Sequence, residues 1–262
     1  MNIELLNSIF IFIIGMVLGS FYNVVGYRLP NNMSIVFPNS SCPNCNKKLK
    51  FYELIPIFSY IFLLGKCKAC KKKISIIYPL FELLTGILFL LSYLVFGLSY
   101  EFIFAITFIS ILIVISISDL RYYIIPDEVI IIGIILLIIE MILNSVINDT
   151  NLVIGVLIPL LNGIGAFAII FLFKFLGDLI LKKECLGGGD IKLLFIIGLV
   201  LGFDMSIVAI FIASFIALPL SIVSLIKNDN NVLPFGPYLS LASIIILLSN
   251  LNLDIIFEFF TL

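Results

Sequence analysis

Long uninterrupted apolar runs recur from one end of the chain to the other, and they leave it little choice of fold. Each approaches the roughly 20 residues that a helix needs to cross a hydrocarbon core. Read by that length rule, the spans lie near 5–25, 76–97, 101–118, 124–146, 152–175, 191–203, 205–226 and 236–259, the one at 191–203 being short. Charged residues make up only 12% of the 262, against about 25% in a soluble domain. The expectation is an all-α polytopic membrane protein of about eight transmembrane helices. One small polar module interrupts it between spans 1 and 2. The implied division is 1–26 as the first span, 27–75 as the module and 76–262 as the remaining transmembrane core.

The cations test that count. Nine of the fifteen Lys and Arg fall between spans 1 and 2, from Arg28 to Lys73. Arg121 follows span 3, Lys174, Lys182, Lys183 and Lys192 cluster around the loop between spans 5 and 6, and Lys227 follows span 7. With eight spans all fifteen lie on one face, which the positive-inside rule makes cytoplasmic. The opposite face holds Glu4, Glu101, Asp149 and Asp204, and both termini. The first run has no basic segment before it, is too long for a signal peptide and lacks a small-residue cleavage site, so it reads as a retained span.

The absence of histidine excludes Ser-His-Asp and Cys-His chemistry and every His-ligated metal site. The net charge of −1 offers no footprint for nucleic acid. Carboxylates, Tyr, Lys and Cys remain as candidates for acid–base work.

Within the module, Cys42-Pro43-Asn44-Cys45 and Cys67-Lys68-Ala69-Cys70 form two C-x2-C knuckles separated by 21 residues, one more than the usual range for a four-thiolate zinc site. Four thiolates from Cys42, Cys45, Cys67 and Cys70 would hold a structural zinc and leave no open position for catalysis. A pair of disulfides is the competing reading, and a reducing cytoplasm argues against it. Cys185 stands apart and has no histidine to activate it, so it reads as incidental. The apolar stretch Leu54–Leu64 is too interrupted to span. It reads equally as a segment lying at the membrane surface and as the core of the module.

Two aspartates stand out. Asp119 ends span 3, and Asp190 opens span 6 behind Gly187-Gly188-Gly189. An ionised carboxylate at a bilayer boundary has to find water, a partner or a proton, and the topology puts both on the cytoplasmic side. Two facing carboxylates share a proton. One then acts as base toward water while the other protonates a carbonyl, which suits peptide hydrolysis. The glycines allow a substrate chain to approach closely. The competing reading makes each a solvated helix-end carboxylate, and Asp190 at a helix start is favoured there in any case.

Other positions are less specific. Gly19-Ser20-Phe21-Tyr22-Asn23 reads as close helix packing. Glu82, inside span 2, is a functional candidate or pairs with a lysine. Asp127 and Glu128 are solvated or begin span 4 after Pro126. Asp178 and Glu184 read as loop residues, and Glu140, deeper in span 4, has no explanation from sequence. Lys71-Lys72-Lys73 signals topology and contact with anionic lipid.

Taken together, Gly19-Ser20-Phe21-x-Asn23, Arg28-x-Pro30, the two knuckles, Ile55-Pro56 with Ser59-Tyr60, Gly65-Lys66-Cys67, Tyr78-Pro79-x-x-Glu82, Asp119 with Ile125-Pro126-Asp127, Gly187-x-Gly189-Asp190-x-Lys192 and Pro234-Phe235-Gly236-Pro237 resemble the type IV prepilin peptidases. The motifs run in order over nearly the whole chain. The G-x-G-D element alone is weak, since presenilin-like proteases carry it too. The extra Gly188 falls at the variable position.

The resemblance implies an inner-membrane aspartic endopeptidase. It would remove the short basic leader of prepilins or pseudopilins on the cytoplasmic side, with Asp119 and Asp190 as the catalytic pair and Gly187, Gly189 and Lys192 supporting the loop and substrate. It also implies N-methylation of the new terminus with S-adenosylmethionine, which members carrying the cysteine module perform. No motif places that cofactor, and Asn23 and Glu82 are the candidates. Two other classes remain open. One is a leader peptidase alone, with the zinc module as a docking platform. The other is a non-enzymatic scaffold or ion-binding protein that uses Asp119 and Asp190.

Overall fold

Apolar periodicity carried almost without interruption leaves only helices and the short turns between them. The computed structural model describes residues 3–182, 187–226 and 233–251. Among these there is no strand. The helices are α1 (Ile3–Arg28), α2 (Phe58–Phe62), α3 (Ile77–Phe96), α4 (Tyr100–Tyr122), α5 (Asp127–Ile147), α6 (Ile158–Leu181), α7 (Gly188–Leu201), α8 (Phe203–Ile226) and α9 (Gly236–Ser249). All but α2 coincide with an expected span. Six of them, α1, α3, α4, α5, α6 and α8, are long and apolar enough to cross a bilayer. The chain is therefore an integral membrane protein.

α7 and α9 have 14 residues each, about 21 Å at 1.5 Å per residue and short of a hydrocarbon core. Gly202, at φ +88°, ends α7, and α8 starts at the next residue. Cys185 with Lys183, Glu184 and Leu186, as well as Lys227 and the end of the last expected span, lie outside the described residues.

The chain divides into two compact units, Met1–Phe102 and Ile103–Leu262. In the first, α1 and α3 pack along their length. Small residues make this possible, since a Cβ on Gly15 would sit 2.8 Å from Gly86 Cα and one on Gly19 would sit 2.7 Å from Thr85 Oγ1. The polar module, 29–76, hangs between these two helices. α2 buries none of its residues, so the stretch Leu54–Leu64 is not the core of the module.

In the second unit α4 and α7 form the core. Phe108, Ile109, Leu112, Ile113, Ile115 and Ile117 of α4, and Leu193, Leu194, Ile196 and Ile197 of α7, are almost fully enclosed. A helix apolar on all sides is one surrounded by others. α5, α6 and α8 turn large apolar side chains outward instead, among them Ile131, Ile132, Phe171, Phe173, Phe211 and Phe215. α6 approaches α7 closely enough that a Cβ on Gly198 would lie 2.6 Å from Ala166 Cβ.

Three boundaries differ from expectation. α4 runs through Tyr122, so Asp119 lies in its last turn rather than after it. Pro126 stays extended and caps α5 from outside, because the residue before a helix takes β-region dihedrals. α7 begins at Gly188, which places Asp190 inside its first turn.

Candidate functional site

The four module cysteines come together. Their Sγ atoms all lie within 4.8 Å of one another, with Cys42 3.8 Å from Cys70 and Cys45 4.0 Å from Cys67. A tetrahedron of thiolates at zinc–sulfur bonds of about 2.3 Å has edges of about 3.8 Å, so the cluster fits a metal such as zinc. All four thiols are free rather than joined in disulfides.

The two knuckles are built alike. In the first, the Cys42 N–H donates to Lys47 O and the Asn46 N–H to Cys42 O, with Asn46 left-handed at φ 55°. In the second, Cys67 N–H donates to Lys72 O and Lys71 N–H to Cys67 O, with Lys71 at φ 61°. Backbone N–H groups of Cys70 and Ala69 hold the Cys67 thiol down to about 6, while desolvation and the neighbouring thiols push Cys45 up to about 11, so a metal bound here would have to displace a proton from Cys45.

Glu53 ties the spacer together. It accepts from Lys50 N–H at 2.9 Å and pairs with Lys47 at 2.9 Å. Those two contacts, the N–H first, hold its carboxyl below the ordinary range.

Asp119, only 5% exposed, closes α4. Its backbone carbonyl accepts from Tyr123 N–H at 2.9 Å, with Tyr123 at φ 57°. The neighbouring Ser118 hydroxyl donates to Ile124 O at 2.5 Å. The chain therefore reverses at a fixed angle and brings Ile125 back toward the aspartates. Asp119 Oδ2 accepts from Gly236 N–H at 2.9 Å, and a Cβ on Gly236 would lie 2.8 Å from that oxygen. The start of α9 thus packs directly onto the carboxylate, where no side chain fits.

Asp190 arrives from α7, and the Asp119 charge reaches its carboxylate, as does that of Lys174 on α6. Ile125 packs against Gly189, the residue before Asp190, and lies 3.5 Å from a Cβ built on Gly236, which itself touches Asp119, so the two aspartates come to one place on the two most enclosed helices of the unit. The Gly187 backbone N–H contacts the Asp190 carboxylate. Gly189 faces Ile125, whose Cβ would lie 2.8 Å from an added Cβ. Gly188 has open space around it, so the variable position of the motif is free to vary.

Lys192 points elsewhere. Two residues along a helix is about 200° of rotation, and its ammonium meets Asp127 at 2.6 Å at the start of α5. There it lines an apolar groove of about 310 Å³ with Ile130, Ile134, Ile164, Phe167 and Phe195. Its place suits support of α7 rather than contact with the aspartates. Asp127 is thus ion-paired and also begins α5. Glu140, unexplained from sequence, accepts from Thr107 of α4 at 2.7 Å.

Asn23 and Glu82 lie in the first unit. Asn23 is 2% exposed, and its amide donates to Gly19 O and Tyr78 O while Oδ1 has no partner. Glu82 Oε2 accepts from Ile57 N–H at 2.8 Å, not from a lysine.

Sequence reasoning did not assign Gly236, Ser118 or Ile125 a part in the site. Gly236 and Ile125 appeared only within motifs of the resemblance. Nothing local marks Ser118, because its use depends on a turn that the apolar runs do not announce.

The fold and site define a class: integral membrane proteins that hold two carboxylates close together on enclosed helices, here in a chain without histidine. Comparison with known proteins narrows the class. Residues 13–96 match the bacterial peptidase A24 N-terminal domain and residues 106–222 the type IV leader peptidase family. The chain is similar to the prepilin leader peptidase/N-methyltransferase of Bacillus subtilis strain 168, 34% identical over 90% of this chain and 91% of the relative. It is also 30% identical to the Neisseria gonorrhoeae protein of the same name, over 91% and 89%. A "type 4 prepilin-like proteins leader peptide-processing enzyme" of Escherichia coli O78:H11 is 32% identical over 88% and 89%. The chain belongs to the type IV leader peptidase family. No solved structure matches it.

Proposed function

We propose that this chain removes the leader of type IV prepilins or pseudopilins at the cytoplasmic face of a bacterial inner membrane, and that it N-methylates the terminus so released. The observation that carries the peptidase reading is the packing of Gly189, beside Asp190, and of Gly236, against Asp119, onto the side chain of Ile125, which gathers two carboxylates 71 positions apart in the numbering. Like charges so placed favour one shared proton. The ionised carboxylate takes a proton from water as the oxygen attacks the scissile carbonyl, and the protonated one supplies a proton to the carbonyl oxygen. Collapse of the tetrahedral species breaks the C–N bond, and the leaving amine takes the proton held by the base.

The family, the distribution of cations and the six long apolar helices support the membrane placement, with the surrounding lipid as a partner of the spans. We assign the leader-cleaving chemistry to the transmembrane core, 76–262, whose compact unit 103–262 carries both aspartates, and the thiolate module to 27–75. The module's four cysteines would hold a structural zinc, which fixes the two knuckles and leaves no coordination position for chemistry.

For methylation, S-adenosylmethionine supplies the methyl group. The orphaned Oδ1 of buried Asn23 fits a ligand donor, since a buried polar atom is rarely left unpaired. Glu82 is already engaged by Ile57. The test is cleavage of a full-length prepilin by the reconstituted enzyme and its Asp119→Asn and Asp190→Asn variants. Retained cleavage in both refutes the peptidase reading. Mass spectrometry of the product separates a bifunctional enzyme from a peptidase alone, because methylation puts a CH₃ in place of a hydrogen and so adds about 14 Da.

A further inference from the structure

We propose that the cysteine module is anchored in the membrane by an apolar ridge, Phe51, Phe58, Ile61, Phe62 and Leu64, that enters an anionic leaflet of the same bilayer that α1 and α3 cross.

The ridge is exposed to a degree unusual for such side chains: Phe51 is 84%, Phe62 81% and Leu64 83% accessible. A contiguous exposed apolar patch on a small module marks a surface that something covers. Phe58, Ile61 and Phe62 stand three and four positions apart on α2 and so share one face, with the turn that carries Phe51 lying close to that helix.

The depth of the ridge says what covers it. The Ile57 N–H, immediately before α2, donates to Glu82 Oε2 at 2.8 Å. Glu82 is the sixth residue of α3, about 7–8 Å along the axis from the first at 1.5 Å per residue. A helical side chain leans toward the N-terminus of its helix, so this bond holds the start of α2 against the first turns of a spanning helix, at the level where the polar module meets the apolar span. Ile57 holds φ 62° to do so, a conformation that a β-branched residue adopts only under constraint from its surroundings.

The charge selects the lipid. Lys48, Lys50, Lys66, Lys68, Lys71, Lys72 and Lys73 are all exposed, and between residues 33 and 76 the only acid is Glu53, already paired with Lys47. Lys50 precedes Phe51, Lys66 follows Leu64 by two residues, and Lys68 lies over the Tyr52 ring at 5.1 Å. Apolar side chains framed by lysines match an interface of acyl chains beneath anionic headgroups. A basic peptide is repelled by the same lysines, so the module is poorly suited to receive a basic leader.

The chain contains no tryptophan, so Phe62→Trp places a single emitter on the ridge of the full-length protein. In nanodiscs its emission should be blue-shifted and quenched by lipids brominated on their acyl chains. The quenching should be roughly twofold stronger with anionic than with purely zwitterionic lipid, and Lys50→Glu with Lys66→Glu should abolish that difference. Emission typical of water, quenched by iodide and untouched by brominated lipid, overturns the anchor. So does a tryptophan shielded only after a prepilin is added, which would make the ridge a protein-docking surface. Equal quenching in both lipids overturns the anionic selection. Phe58→Trp is a second reporter if the first variant fails to retain zinc.

Discussion

The thiolate cluster and the aspartate pair each gather distant residues into one place, but they do it by different means. Each cysteine knuckle is complete within about seven residues: a C-x2-C, a left-handed residue after it and two backbone hydrogen bonds, repeated almost bond for bond at Cys42 and at Cys67. Only the meeting of the two knuckles is long-range. The aspartate site has no such local unit. Asp119 depends on a turn closed by Ser118, on Ile125 returning from beyond it, and on Gly236, 117 positions away in sequence. A site written in local geometry tolerates change elsewhere. A site assembled by helix packing is sensitive at each surface that touches it.

The largest effect separates the two directly. Asp119→Asn or Asp190→Asn should lower leader cleavage by roughly a thousandfold or more, while zinc content stays at one ion per chain. Zinc analysis and a cleavage assay on the same preparation check both halves. Loss of zinc in the aspartate variants would show that the two clusters are coupled.

Next come the glycines that admit no Cβ. Gly236→Ala presses on Asp119 Oδ2, and Gly189→Ala on Ile125 Cβ, each at 2.8 Å. A displacement of about 1 Å at a reacting group costs on the order of a hundredfold. Both variants should lower kcat, because each displaces a group packed beside an aspartate. Gly188→Ala, with nothing within 4 Å, should cleave normally, and comparison of the three tests whether close approach rather than chain flexibility is what the glycines provide.

These residues also show how far the sequence could be read. Apolar run length placed every long helix, because lipid thickness is a constraint that acts on one segment at a time. The knuckle spacing pointed to the thiolates for the same reason. Asp119 and Asp190 stood out because an acid at a membrane boundary is costly. What stayed hidden was the closure. Gly236 is one glycine before a proline in a Pro-rich turn, and only packing of α9 on α4 gives its N–H a carboxylate to meet. Lys192 lay in the same motif as Asp190 yet faces Asp127, a consequence of helical rotation that motif spacing alone does not convey. Glu140 found Thr107 only once α4 and α5 were packed.

A cysteine variant probes the comparison from the other side. Cys42→Ser should abolish zinc retention, as the loss of one of four thiolates removes the closed tetrahedron. If the aspartate core in 103–262 carries cleavage by itself, peptide cleavage in detergent should fall only several-fold, on the order of 1 kcal/mol in the transition state. A thousandfold loss would show instead that the module takes part in the chemistry or in admitting the substrate.

The smallest effect is expected at Glu53, which links Lys50 and Lys47 inside the module without touching a thiolate. Its carboxyl is held below its ordinary value near 4.5, by the Lys50 N–H first and by Lys47 second. A carboxylate depressed by folding stabilises the fold above its unfolded pKa, and that contribution is lost as the pH falls through the lower folded value. The wild-type module should therefore keep its zinc better than Glu53→Gln at pH 6 to 7, where the wild-type carboxylate is ionised. The two should converge only once the pH has fallen through the carboxyl's depressed value. Release of zinc to a chromophoric chelator, followed across that range, checks the prediction. A difference that persists at the acid end would assign Glu53 a packing role in place of an electrostatic one.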